Sequence, residues 1–174
     1  MKRLTALLIL ILLCFASGCH SGKSPELPVK YYYPNATISY GTEDGFLSYE
    51  QREGIGISAD ASIAKYLKGP ADSMYSNPFP KNTKLITFEV QDDIIRLVLS
   101  DNYATLTGLD LSVANACLSM TVLELTGANT VSIQCESIQI DGQNSIVMTR
   151  DSILLYDSNK TTTPSEPAPS ATVK

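Results

Sequence analysis

The residues with the most specific chemistry stand near the N-terminus, where the sequence Ala-Ser-Gly-Cys occupies residues 16–19. Lys2-Arg3 and an apolar run from Leu4 to Phe15 precede it. A basic start, a short apolar run and small residues before a cleavage site are typical of a secretory signal, and a cysteine directly after Ser-Gly is typical of a bacterial lipoprotein. The pattern predicts a lipoprotein signal peptide over residues 1–18 and lipid attachment, as palmitate or a similar acyl chain, to Cys19.

Two other interpretations of this segment remain open, an ordinary secretory signal cleaved nearby and an uncleaved anchor helix. The apolar run has about twelve residues, whereas a helix needs about twenty to span a bilayer. Ala16 also stands where lipoprotein signals prefer leucine. Under the lipoprotein interpretation, the protein lies on the outer face of the cell membrane and is anchored there through Cys19.

Besides Cys19, the cysteines Cys117 and Cys135 remain after Cys14 leaves with the signal peptide. Cys117 lies about nine residues before the end of a predicted helix and Cys135 about four residues into the next predicted strand, so both lie about 13 Å from the connection. A disulfide is allowed outside the cytoplasm, and closing a loop of about nineteen residues would contribute about 3 kcal/mol. The alternative is two free thiols in the core, because cysteine also packs as a small hydrophobe.

Three consecutive tyrosines, Tyr31, Tyr32 and Tyr33, form an aromatic run in a predicted strand. Alternation in a strand places Tyr32 on the opposite face from Tyr31 and Tyr33. Tyr31 and Tyr33 are therefore candidates for binding a partner, such as another protein or a glycan strand. In the alternative interpretation, one tyrosine face belongs to the core and the other is a half-exposed strand surface.

The sequence offers no arrangement of residues for catalysis. His20 is the only histidine and lies beside the predicted lipid site, so Ser-His-Asp or Cys-His chemistry and a histidine metal site lack their base or ligand. Asp92 and Asp93 are adjacent on a predicted turn, where their side chains point apart. The acidic loop near Glu43 and Glu50 lacks the ligand spacing of a calcium loop. We therefore predict no enzyme activity, cofactor or metal.

The charge of the chain excludes another class of partner. Removal of the signal peptide changes the net charge from −5 to −7, and the sequence contains no run of Lys or Arg. Nucleic acid binding requires such a basic patch. The acidic surface would also repel anionic lipid headgroups, so membrane attachment is expected to depend on the lipid.

Composition divides the mature chain into three parts. Residues 19–28 contain the lipidated cysteine and a Ser-, Gly- and Pro-containing tether, and residues 159–174 form a Pro/Ser/Thr-rich tail with too few apolar residues to order itself. Residues 29–158 are long enough for one core. The sequence therefore predicts a single small domain over 29–158.

Periodicity within the domain predicts an α+β fold with two helices on a mostly antiparallel sheet. The clearest signals are a hairpin over residues 85–90 and 94–99 and a helix from Ser112 to Gly127. A shorter helix begins after Ser58 and ends at Gly69-Pro70. Strands are predicted at residues 29–33, near 46–49, and at 131–135, 138–140, 146–148 and 153–156.

Several short motifs follow one another in an order that resembles the GerMN domain of sporulation and germination lipoproteins. They are Tyr32-Tyr-Pro-Asn35, Ala64-Lys-Tyr-Leu-Lys-Gly-Pro70, Pro80-Lys-Asn-Thr83, Leu97-Val-Leu-Ser100, and Thr121-Val-Leu-Glu-Leu-Thr-Gly127 with Val131-Ser-Ile133. Val98 departs from the aspartate that this family usually has there. The resemblance implies a fold like the ring-building motifs of sporulation envelope complexes, without catalytic activity.

Two functions remain open at this point. The resemblance implies a lipid-anchored structural or scaffolding component of a sporulation or germination complex, with other envelope proteins or further copies of itself as partners. The tyrosines and the polar loop from Ala36 to Gly56 instead favour a binding module for a cell-wall polymer or small ligand. A scaffold requires an exposed complementary face, whereas a ligand module requires a concave pocket.

Overall fold

The fold begins with two short strands that pair with each other. In this computed structural model, residues 28–39, 45–52 and 58–153 are described. Strand β1 (Val29–Pro34) pairs antiparallel with β2 (Leu47–Arg52), and Tyr32 stands opposite Tyr49. The predicted first strand is confirmed, and the short strand predicted near residues 46–49 is longer than expected.

The first helix, α1 (Ala59–Tyr66), lies where the sequence predicts it and buries Ile63 and Tyr66. The turn that follows this helix depends on Gly69, which has a φ of +106°. A Cβ at this position would lie 3.0 Å from the Asn77 side chain, so a larger residue would be strained and crowded.

The second sheet has four strands in the order β3–β4–β5–β6. They are β3 (Leu85–Gln91), β4 (Ile94–Leu99), β5 (Thr130–Cys135) and β6 (Ile146–Thr149). Strands β4 and β5 are parallel, and the other neighbours are antiparallel. A parallel pair needs a long crossover connection, and a helix supplies it here. The α+β class with two helices and a mostly antiparallel sheet is therefore confirmed.

That crossover helix, α2 (Gly108–Thr126), lies between the two sheets and contacts β1, β5 and β6. It is apolar on most sides because it is covered from more than one direction. The helix ends at Gly127, whose φ of 72° gives the left-handed cap, but it begins four residues before the predicted Ser112. The Ser112 hydroxyl donates to the Gly108 carbonyl instead of capping the helix.

Two predicted strands differ in the structure. Residues 138–140 form only an isolated bridge, from Ile140 to Gln143. Ile153 follows a 3₁₀ turn over Arg150–Ser152, and the remainder of the predicted strand at 153–156 lies outside the described residues. The core face of the hairpin is confirmed on β4, where Ile95, Leu97 and Leu99 are buried.

Candidate functional site

Tyr31 and Tyr33, the predicted partner-binding residues, lie in the core. They are 6% and 0% exposed. Their ring centroids lie 5.6 and 4.9 Å from that of Tyr66, and Tyr33 Oη donates to the Tyr66 carbonyl at 3.1 Å. The prediction of partner binding is therefore wrong for this pair, because β1 packs this face against α1. The alternative, a core face, is the one that the structure has.

A partly buried ion pair covers the same face of the β1–β2 hairpin. Arg52 Nη2 donates to Glu50 Oε2 at 2.6 Å, to the Gly69 carbonyl at 3.1 Å and to Tyr33 Oη at 3.3 Å. The guanidinium carbon lies 5.0 Å from the centroid of the Tyr31 ring. Burial lowers the pKa of Arg52, but the hydrogen bond to Glu50 and the other contacts outweigh it and raise this pKa overall. We call Arg52 with Glu50 the clamp, since it joins β2 to the turn after α1.

The opposite face of this hairpin carries the exposed aromatic residues. Tyr49 is 42% exposed, and the partly buried ring of Tyr32 meets it edge-on at a centroid distance of 5.7 Å. Lys30 Nζ lies 5.1 Å from the centroid of the Tyr49 ring and 3.6 Å from Glu124 Oε1 on α2. Tyr32, Tyr49, Lys30 and Glu124 together form the aromatic face. Burial and the nearby Glu124 carboxylate raise the pKa of Tyr32, so its phenol is a neutral donor at physiological pH.

The aromatic face is held in place by hydrogen bonds from outside the hairpin. The Tyr32 N–H donates to Thr121 Oγ1 on α2 at 2.9 Å. Tyr75 Oη donates to the Tyr49 carbonyl at 3.0 Å. Because both strands are fixed, the rings present a preorganised surface with an apolar body and polar tips. Such a surface suits recognition of a protein or a sugar.

An open groove of about 390 Å³ lies at the other end of β1. Its apolar lining comes from Phe46, Phe79, Leu109 and other residues, and Asp110 supplies a carboxylate. Ser76 also lines it, but its Oγ contacts the Pro34 carbonyl at 3.5 Å. The lining could accommodate an apolar group, but it does not pair a nucleophile with a base.

Asp93, one of the two adjacent carboxylates on the predicted turn, has a structural partner. Both carboxylate oxygens of Asp93 accept hydrogen bonds from Asn129, one from its N–H and one from its side chain. Within residues 28–39, 45–52 and 58–153, no three His, Cys, Asp or Glu side chains come together as metal ligands would. Asp93 therefore joins the β3–β4 turn to the segment before β5.

Cys117 and Cys135 are free thiols in the structure, the first buried and the second partly buried. Cys135 Sγ lies 3.8 Å from the Ser100 carbonyl. Burial raises the pKa of both thiols, and both lie close enough to Tyr103 to raise the pKa of its phenol, which burial already raises. The disulfide stays a prediction. Cys19 and its lipid lie outside the described residues.

One described helix, α2, has the length and hydropathy that could span a membrane. More than half of that segment is buried inside the domain, between the β1–β2 hairpin and the larger sheet. A core helix of a folded domain has these same properties. The position of α2 between two sheets accounts for its apolar composition.

Comparison with known proteins places this fold in a family. Residues 30–145 match the family described as "Germane: Sporulation and spore germination". The first GerMN domain of the sporulation protein GerM from Bacillus subtilis is similar in fold, with a TM-score of 0.55 and 11% identity over 72% of this chain and 98% of that chain. The tandem GerMN domains of the same protein give a TM-score of 0.54 and 15% identity, over 74% of this chain and 46% of that chain.

No curated protein matches the chain. The family match covers more than half of the residues, and it includes the β1–β2 hairpin except for Val29, both helices, strands β3 to β5 and the aromatic face. The similar structures independently show the same α+β fold. The chain therefore belongs to the Germane (GerMN) family of sporulation and spore germination domains.

Proposed function

We propose that this chain is a non-catalytic structural component of a sporulation or spore-germination envelope complex, anchored outside the cell membrane by lipid on Cys19. Family membership and the lipoprotein-type signal at residues 1–18 support this proposal. The aromatic face is the main support for it, because the exposed Tyr49 is held against the partly buried Tyr32 and is bordered by charges of both signs. We assign the partner contact to this face.

Binding through the aromatic face requires little ordering. Tyrosine has few rotatable bonds, and tyrosines are enriched among the residues that contribute most to protein interfaces. Tyr49 already contacts Tyr32 and Lys30, so its ring loses little freedom when a partner covers it. Lys30 and Glu124 would lie at the polar rim, where they select for complementary charges.

A crosslinked pull-down of the tagged full-length chain from starved cells tests this assignment. We expect Tyr49→Ala to reduce recovery of envelope-complex proteins about tenfold, the usual effect of removing a central interface aromatic. Ile138→Ala is the matched control, because Ile138 is also exposed, at 51%, but lies far along the chain from the aromatic face. Recovery unchanged by Tyr49→Ala, with both variants folded, would contradict the assignment.

The lipid anchor has its own test. Cells fed a labelled fatty acid should incorporate the label into the wild-type chain and not into Cys19→Ala, because the thiol is the predicted acceptor. Mass spectrometry of the N-terminal peptide should show a diacylated cysteine. An unmodified wild-type peptide beginning near residue 19 would indicate ordinary secretion.

A cell-wall polymer or small ligand is the second candidate, favoured by the groove beside Phe46 and Leu109 and by tyrosine rings on which a sugar could stack. Titration of the full-length protein with muropeptides, followed by tyrosine fluorescence, separates the two functions. Saturable binding that Tyr49→Ala or Leu109→Ala abolishes would favour the ligand module. An unchanged signal would favour the scaffold.

A further inference from the structure

Positive charge is concentrated in one part of this acidic chain. Residues 61–88 contain four lysines and one acidic residue, Asp72, whereas residues 89–153 contain nine acidic residues and two arginines. All four lysines are exposed. We call them the lysine cluster, and they are Lys65, Lys68, Lys81 and Lys84.

The first two lysines of the cluster lie at the carboxyl end of α1. Lys65 is in the last turn of the helix, and Lys68 follows the helix. The segment before β3 packs against this same end, because the Phe79 ring meets the Tyr66 ring edge-on at a centroid distance of 5.1 Å. Lys81 follows Phe79 by two residues, so at most about 7 Å of chain separates it from this contact.

A tight turn then positions the other two lysines. The Thr83 N–H donates to the Pro80 carbonyl at 3.2 Å. Ser100 holds the backbone of Lys84, since the Lys84 N–H donates to Ser100 Oγ at 3.0 Å and the Ser100 N–H donates to the Lys84 carbonyl at 2.9 Å. The backbone beneath both side chains is therefore fixed, while Lys81 and Lys84 remain exposed.

The charges of the lysine cluster are available to an outside anion. Within the part of the chain that the structure describes, no carboxylate oxygen lies within 4.0 Å of a cluster Nζ, and the two ion pairs there are Lys30 with Glu124 and Arg52 with Glu50. Asp72, the one acidic residue of the same segment, accepts a backbone N–H at 2.8 Å. A partner with several negative charges would therefore meet four unpaired ammonium groups.

The predicted N-terminal tether enters the domain beside this end of α1. Val29 begins β1 and pairs with Arg52, whose guanidinium donates to the Gly69 carbonyl at 3.1 Å. Gly69 directly follows Lys68. Val29 lies ten residues after Cys19, and a chain of that length reaches at most about 35 Å. A lipid on Cys19 would therefore keep the lysine cluster within reach of the membrane surface.

We propose that the lysine cluster binds the anionic lipid headgroups of the membrane that holds this chain, an inference that rests on the proposed lipid anchor at Cys19. Each lysine near an anionic membrane surface strengthens binding about fivefold. The anchor raises the local concentration of the domain at the headgroups, so individually weak contacts become occupied. This binding would restrict rotation of the domain about its tether and would set which surface faces away from the membrane.

The net negative charge of the chain does not prevent this contact. At physiological salt, charges on exposed surfaces are screened over about 8 Å, whereas a domain of this size is about 35 Å across. Headgroups therefore respond to the charges on the surface that faces them and not to the charge of the whole domain. The repulsion expected from the net charge applies to the acidic surface formed mainly by residues 89–153.

Lysine labelling on vesicles tests the contact without the natural lipid. The mature chain, residues 19–174, carries Cys19→Ala and an N-terminal histidine tag that binds a nickel-chelating lipid. One set of vesicles otherwise contains only phosphatidylcholine, and in the other set phosphatidylglycerol replaces a third of it. An amine-reactive acetylating reagent labels accessible lysines, and mass spectrometry measures the labelling rate at each site.

We expect labelling of the lysine cluster to be about fivefold slower on the anionic vesicles than on the neutral ones, and this protection should disappear at high salt. Lys30, on the hairpin face away from α1, should be labelled equally on both. Equal labelling of the cluster on both vesicles would overturn the proposal. Equal protection by soluble poly(glycerol phosphate) added to neutral vesicles would also overturn it, because the site would then recognise a free polyanion and not a membrane surface.

A double variant tests the same contact without changing α1. Lys81→Gln with Lys84→Gln should remove most of the protection of the other two cluster lysines, because two charges contribute about 25-fold in affinity. Lys160→Gln with Lys174→Gln is the matched control, with the same charge change in the C-terminal tail. With thermal midpoints unchanged, protection that survives the first variant, or that both variants abolish, would overturn the proposal.

The proposed anchor and the proposed headgroup contact fail separately. The nickel lipid supplies the anchor in these experiments, so loss of the expected protection would leave lipid attachment at Cys19 untouched. The labelled fatty acid experiment tests that attachment and does not depend on the lysine cluster.

Discussion

Replacement of Arg52 by methionine is the sharpest test of how the β1–β2 hairpin is held. Arg52 and Glu50 side chains are only 15% and 13% exposed. Without the guanidinium, Glu50 Oε2 keeps the Ala71 N–H at 3.2 Å as its hydrogen-bond donor. Tyr33 Oη and the Gly69 carbonyl also lose a donor. Arg52→Met therefore leaves a nearly buried carboxylate without its counter-charge.

The expected loss of stability is large. Removing one partner of a buried ion pair lowers the free energy of unfolding by about 3–5 kcal/mol. Because this pair is partly exposed, we expect a loss of about 3 kcal/mol. Domains of about 120 residues unfold with an entropy of about 0.25 kcal/mol per kelvin near their midpoint, so the midpoint should fall by about 12 °C. The double variant Arg52→Met with Glu50→Gln removes both charges and should cost only about 1 kcal/mol.

Urea and thermal unfolding of the wild type, both single variants and the double variant measure this coupling. Lys30→Met is the matched control. It breaks the ion pair between Lys30 and Glu124 on the opposite face, in which both side chains are about 35% exposed. The free energy of unfolding should therefore fall by less than about 1 kcal/mol. The reasoning is refuted if Arg52→Met costs no more than Lys30→Met, or if the two clamp substitutions add without coupling.

Three further predictions concern the core. Burial raises the pKa of Tyr66 and Tyr103, so both phenols stay neutral in the fold. Their combined contribution to stability should be complete below about pH 10, the unfolded pKa, and fall by about 3 kcal/mol per pH unit above it, which urea unfolding between about pH 9 and 11 measures. Gly127→Ala should lower stability by about 1 kcal/mol, since φ is 72° while space for a Cβ is open; an unchanged unfolding midpoint would contradict this. Maleimide added after unfolding without reduction should label both Cys117 and Cys135, and absence of label on both would show a disulfide.

Strong periodicity made much of the fold predictable from the sequence. The β3–β4 hairpin follows from the alternating spacing of its apolar residues, and both helices follow from helical spacing. The tertiary structure keeps the secondary structure that this spacing predicts. The start of α2 was missed because Gly108 is a poor helix former and Ser112 is a good cap. Burial of Leu111 in the core requires the earlier turn, and this tertiary contact is not visible in local sequence.

The exposed side of β1 could not be identified from the sequence for a related reason. Alternation correctly separates Tyr32 from Tyr31 and Tyr33, but it does not say which side is buried. Two contacts decide that, Tyr66 from α1 and the guanidinium of Arg52 from β2. A signal was available in the short strand predicted near residues 46–49, since Tyr49 could have been paired with β1.

The two faces of the β1–β2 hairpin depend on each other. A two-stranded hairpin alone is marginally stable in water, so its exposed tyrosines could not hold a fixed geometry without outside support. The clamp gives that support on the inner face through Arg52 and the Gly69 carbonyl, while Thr121 supports β1 at its backbone. Glu50 follows Tyr49 directly on β2. The inward-facing Glu50 carboxylate, held by Arg52, therefore helps to fix the backbone of Tyr49, whose ring faces outward. We therefore expect this charge pair to have a role beyond stability, because it would specify the position of the surface that we assign to partner binding.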